Sequence, residues 1–110
     1  MSDVRYLNKT EECDLGLSFI LELEASLASW DSPRLDNTGK EYGVLAQGLR
    51  DLLHRESKTS SALVYDEESD CYSVRHEKLI VPMIKAIADL ATIVENLKEE
   101  VHYLRKAKND

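Results

Sequence analysis

Between residues 76 and 107, large apolar side chains recur at alternating spacings of three and four: Ile80, Met83, Ile87, Leu90, Val94, Leu97, Val101 and Leu104. Such steps keep successive side chains on one face of an α-helix, and their 3.5-residue average is the repeat of a coiled-coil seam. At ~1.5 Å per residue a helix over this span is roughly 48 Å long, far more than a body built from the other residues needs for its own core. Pro82 falls in the first turns, where a missing N–H is tolerated. No other stretch limits the fold as strongly.

With Ile80, Ile87, Val94 and Val101 at heptad position a, the d positions are Met83, Leu90, Leu97 and Leu104. The flanking e and g positions change along the helix. They are Ile84, Ala86, Ala91 and Ile93 in the first half, then Lys98, Glu100 and Arg105 in the second. A stripe broad near the body and narrow beyond it predicts a helix that packs on its own domain first and on partner helices throughout. β-Branched a residues with Leu at d are the preference of parallel dimers, whereas the broad early stripe favours three or more helices. A helix folded back on its own body would need no partner. The seam continues after its flanks turn polar, which favours self-association.

The remaining residues fit a small body. A chain of 110 residues is one domain by length and buries about two-thirds of its unfolded surface, so oligomerisation is a natural supplement to its core. Only 4 Gly and 2 Pro, with 43% hydrophobic residues, describe a folded, helix-rich chain. Leu15, Phe19, Ile20 and Leu23 predict a helix over 10–23, opened by Thr10 and the acidic Glu11, Glu12 and Asp14. A short strand over 25–30 and a loop over 31–40 follow. Tyr42-Gly43-Val44 then lead into a second helix through Leu45, Leu49, Leu52 and Leu53. After a loop over 56–61, the runs 62–65 and 71–74 flank Glu68-Ser69-Asp70 as a hairpin. The expected fold is α+β, mainly α: a body of two short helices and one hairpin over 1–75, and a long oligomerising helix over 76–107.

A net charge of −7 argues against nucleic acid as a partner. Arg105, Lys106 and Lys108 read instead as cations complementing a helix C-terminus. Cys13 and Cys71 are too few for a disulfide framework and are expected as free thiols, Cys71 half-buried in an alternating stretch. There is neither a basic-then-apolar leader nor a run of 18 apolar residues, so secretion and membrane insertion are not expected. His54, His76 and His102 lack metal-ligand spacing. The acidic residues at 66–70 lack the glycine and terminal glutamate of a calcium loop, and no phosphate-binding glycine loop is present. No metal or cofactor is expected.

Four pieces occur in an order that resembles a known family. They are Ser2-Asp3-Val4-Arg5, a short helix ending in Trp30, Tyr42-Gly43-Val44-Leu45-Ala46-Gln47, and Tyr72-Ser73-Val74 running on into Leu79 through Ile87. Together they cover nearly the whole chain. It resembles the C-terminal intramolecular chaperone domain of phage tail fibres, tailspikes and neck appendages, the endosialidase-type self-cleaving chaperones. The resemblance implies a homotrimer that aligns an upstream β-rich segment of the same polypeptide during virion assembly in the host cytoplasm. The module is then released from the mature fibre. Pairing strands between chains is slow and exposes edges, and a fast-folding helical trimeriser raises the effective concentration before pairing starts.

The resemblance also implies a single-turnover self-cleavage just before Ser2, with Ser2 as nucleophile. This chain would then be the released product, with Met1 in place of the residue upstream of the cut; Met1 also fits a natural start. A hydroxyl needs a base to attack, and the family often carries a lysine five residues after the serine. Leu7 stands there, and the nearest lysine is Lys9. The implied base is therefore Lys9, Asp3 or a histidine brought by the fold. The competing readings are a coiled-coil adaptor without proteolysis, for which the a and d residues prefer a dimer, and a small enzyme acting on a separate substrate. The last is weakest, because no constellation of acid, base and nucleophile is visible beyond the N-terminal pair.

Overall fold

In the computed structural model, which describes residues 2–32 and 39–109, the apolar four-residue repeat of the first helix is realised only in part. Helix α1 runs over Leu17–Leu23 and tightens into one 3₁₀ turn over Glu24–Ser26. It buries Phe19 and Leu23, with Leu15 just ahead of it. The expected start at Thr10 is seven residues early. Residues 10–16 are not helical, and Gly16 is the N-cap. The acidic residues meant for the first turn are spent elsewhere: Lys58 holds Asp14 by its carboxylate at 3.0 Å and its carbonyl at 3.2 Å.

Strand β1 (Leu27–Asp31) pairs antiparallel with β2 (Lys40–Val44), from Leu27 opposite Val44 to Asp31 opposite Lys40. The second strand is a departure from the sequence reading, which took 42–44 as a lead-in to the next helix. Gly43 hides it, being poor strand material by composition. Its lack of a side chain is what the site needs. A Cβ there would lie 2.8 Å from His76 Nε2 and 2.9 Å from the Trp30 ring. The loop expected over 31–40 falls largely on residues 33–38, which lie outside the described residues.

Helix α2 (Ala46–Arg55) buries Leu49, Leu52 and Leu53. The expected hairpin follows as β3 (Leu63–Asp66) and β4 (Cys71–Val74), with Tyr65 opposite Tyr72 and their rings 4.9 Å apart. Cys71 is exposed, not half-buried. The alternation is real but its phase is shifted by one, so Tyr72 and Val74 take the inner positions. Cys13 is likewise free and exposed. Among the described residues the body thus holds two separate two-stranded sheets instead of one hairpin.

These elements meet around Leu49, which has no exposed surface. Leu15, Phe19 and Leu23 come from the α1 side, Leu52 and Leu53 from α2, and Val44, Ala62 and Leu79 from the ends of strands and turns. A 3₁₀ turn over His76–Leu79 then opens helix α3 (Ile80–Asn109), in which Pro82 is the third residue. The chain is mixed helix and sheet with a long C-terminal helix. Its radius of gyration is 19.6 Å, against about 13 Å for a compact chain of this length. Every residue from 90 to 109 is exposed. The rod leaves the body and does not fold back on it.

Candidate functional site

Helix α3 has two working faces. One meets the body: Leu79, just before it, lies in the core, Pro82 and Ala86 are buried, and Asp89 is half-exposed. Helix α1 packs along this strip. In heptad terms these are g and c positions. The broad apolar flank expected to serve the body contributes only Ala86, since Ile84, Ala91 and Ile93 are exposed. Two small or rigid residues and a carboxylate allow a close approach that branched side chains would prevent.

The other face is the seam. All eight of its side chains are exposed, from 46% at Met83 and Val94 to 66% at Ile87. Along its distal half, Val94, Leu97 and Val101 form an apolar groove edged by Lys98, His102 and Arg105. Single exposed hydrophobic residues are ordinary on a protein surface; these eight form one continuous apolar line along a projecting helix.

The body-facing strip carries a clasp that the apolar pattern did not reveal. Asp89 Oδ2 accepts the Leu17 N–H at 3.0 Å and so caps α1 from another helix, while Lys85 Nζ lies 3.2 Å from Oδ1. A Cβ on Gly16 would come within 2.6 Å of Asp89 Oδ2, so a side chain there would displace the carboxylate. One signal was readable: Lys85 and Asp89, at i and i+4, are the only charged residues between Ile80 and Val94.

The Leu17 N–H, and after it Lys85, holds the Asp89 carboxyl below its ordinary value of 3.8. A depressed folded-state value means that the ionised clasp contributes stability above the ordinary value and loses it as pH falls through the lower, folded one. We therefore expect the Asp89 carboxyl carbon shift to titrate with a midpoint below 3.8, and the Leu17 amide to lose exchange protection over the same window. A midpoint at or above the ordinary value would mean that the cap does not form.

The N-terminal candidates are not brought together. Asp3 caps the 3₁₀ turn Val4–Tyr6 by accepting the Arg5 N–H at 3.1 Å. Both of its oxygens also face the Arg5 guanidinium, with Nε 3.0 Å from Oδ1, which lowers the Asp3 carboxyl and raises Arg5. Lys9 pairs with Glu11 at 3.0 Å, both side chains largely in solvent. Ser2 is exposed, and among the described residues no hydrogen bond joins it to Asp3 or Lys9.

His76 is also committed. Its Nε2 accepts the Val44 N–H at 2.9 Å, tying the end of β2 to the turn that opens α3. Sequence reasoning passed over this tie, and over Arg50, whose guanidinium lies 5.1 Å from the Tyr72 ring centre and links α2 to the second hairpin. Among the described residues there is no group of three His, Cys, Asp or Glu side chains able to hold a metal. No helix there is long and apolar enough to cross a membrane. No protein-family model, curated protein or solved structure matches the chain.

Proposed function

We propose that this chain is an intramolecular chaperone module that associates through α3, most economically as a homotrimer. It aligns the upstream β-rich part of a phage fibre or spike protein in the host cytoplasm, and is released by a cut just before Ser2. The observation that carries the assembly half is the eight-residue seam, exposed throughout and separate from the face that α3 uses for its own body. Exposed apolar residues at the e positions, Ile84 and Ala91, support three helices over two, because e and g flanks are more deeply covered in larger bundles. The chaperone and release halves rest on the resemblance in the four motifs.

A purely structural oligomerisation adaptor is the second reading. It is favoured by one observation: Asp3 is occupied by Arg5 and Lys9 by Glu11, so among the described residues neither of these candidate bases is joined to Ser2. Cleavage would require that the upstream chain, once attached, redirect one of these groups. The deciding experiment expresses the module behind its upstream segment and maps any new N-terminus by mass. Spontaneous cleavage before Ser2, abolished by Ser2→Ala with the oligomer retained, is the expected result. An uncut chain that is nevertheless a stable oligomer establishes the adaptor. A solution mass measured on the same sample decides trimer against dimer.

A further inference from the structure

The joint between the first hairpin and the rod hangs on a titratable side chain. We propose that His76 is a pH-operated latch: neutral, it holds the end of β2 to the turn that opens α3, and protonated, it lets go. The inference stands apart from the reading of α3 as an association helix, because every group it uses lies in the body of a single copy.

Val44 ends β2 with its side chain buried, and its N–H donates to His76 Nε2 at 2.9 Å. A ring nitrogen that accepts carries no proton, so the neutral imidazole has its proton on Nδ1. A second proton makes both ring nitrogens donors. Nε2 and the Val44 N–H then face each other as two donors, and attraction becomes repulsion. Histidine is the side chain that makes this change between about pH 5 and 8. The latch is therefore closed above the titration of His76 and open below it. His54, in the last turn of α2, and His102, on the distal rod, are exposed, and among the described residues neither ring accepts a backbone N–H.

The surroundings offer the cation no replacement partner. On the hairpin, the Glu41 carboxylate already accepts the Trp30 indole N–H at 3.2 Å. On β4, Tyr72 lines the same cleft as His76 and Trp30, with the Arg50 guanidinium of α2 against its ring. Arg75, Glu77 and Lys78 flank His76 in sequence. Among the described residues no carboxylate forms an ion pair with His76. Nor does another hydrogen bond or ion pair there join β1 or β2 to the turn or to α3. Opening the latch thus frees the hairpin end from the base of the rod, while the Val44 side chain stays in the core around Leu49. Both the His76 and Trp30 rings lie against Gly43, so the single tryptophan of the chain senses the displacement.

The test follows the His76 ring signals and the Val44 amide of the full chain by NMR from about pH 8 to 5, with exchange rates corrected for their intrinsic pH dependence. Val44 protection should fall about five- to tenfold as His76 gains its proton, the weight of one ordinary hydrogen bond. Trp30 emission should change with the same midpoint, and the α2 amides of Leu52 and Leu53 should keep their protection. His76 is exposed and outside the core, so substitutions there leave the body folded. His76→Gln supplies an acceptor oxygen that does not titrate and should hold Val44 at both ends of the range. His76→Lys supplies donors only and should leave Val44 unprotected throughout. Val44 protection that stays constant while His76 titrates would overturn the proposal. So would an equal fall in His76→Gln, or a simultaneous loss at Leu52 and Leu53, which would mark acid unfolding of the whole body.

Discussion

Val101→Asp, and equally Leu97→Lys, should convert the associated chain to a monomer while its body remains folded. Each substitution puts a charge on a seam position that association removes from water, and an unpaired charge in such a place costs about 3–5 kcal/mol. That corresponds to a loss of two or more orders of magnitude in association constant for each substituted chain. The separation of effects is the informative part. None of the eight seam residues belongs to the body core around Leu49, so the near-ultraviolet signal of Trp30 and the cooperative unfolding of the body should persist. Far-ultraviolet ellipticity should fall, because residues 90–109 have no packing of their own beyond the rod. An isolated helix of that length is marginal in water. Sedimentation equilibrium alongside circular dichroism reads both quantities. A variant that kept its oligomeric mass would remove the seam from the assembly.

Leu49→Ala should have the opposite profile. Among the described residues Leu49 is the one large side chain with no exposed surface, and it sits where α1, α2 and the turn before α3 converge. Truncating a fully enclosed leucine costs about 2–5 kcal/mol, the upper end applying where neighbours cannot collapse into the space. Small domains have only about 5–15 kcal/mol in total, so the melting temperature of the body should drop by many degrees, or the body should fail to fold at physiological temperature. A change of less than 1 kcal/mol in denaturant unfolding would show that the core is organised around some other residue.

The long helix and the second hairpin were legible because their signals are periodic and local. Eight seam positions at three-and-four spacing leave little else for 80–109 to be, and Leu63 to Val74 alternates around a turn. What stayed hidden depends on contacts distant in sequence. The start of α1 is set by Asp89, 72 residues from the Leu17 N–H that it caps, so no inspection of residues 10–23 could place it. Strand β2 forms because β1 is present to pair with it and because Gly43 lets His76 and Trp30 close on it. The candidate cleavage residues were named from resemblance alone. Their side chains are held by near neighbours, Asp3 by Arg5 and Lys9 by Glu11, in pairings that sequence proximity makes cheap. On α3 the exposed line of eight apolar residues was readable from their spacing, but the body attaches through Pro82, Ala86 and Asp89, an uneven set with no hydrophobic period.

That uneven set has a consequence for how such a module can change over generations. The body and the proposed bundle draw on different sides of one helix, and they share no large side chain. Drift along a and d can therefore retune copy number or exclude a foreign homologue without reopening the body, while repair of the body leaves the choice of mate untouched. Under the proposed association a single helix becomes two loosely linked inheritances, and the narrow stretch from Ile80 to Asp89, where body-facing residues and the proximal seam positions interleave, is where the tolerance for substitution should be smallest.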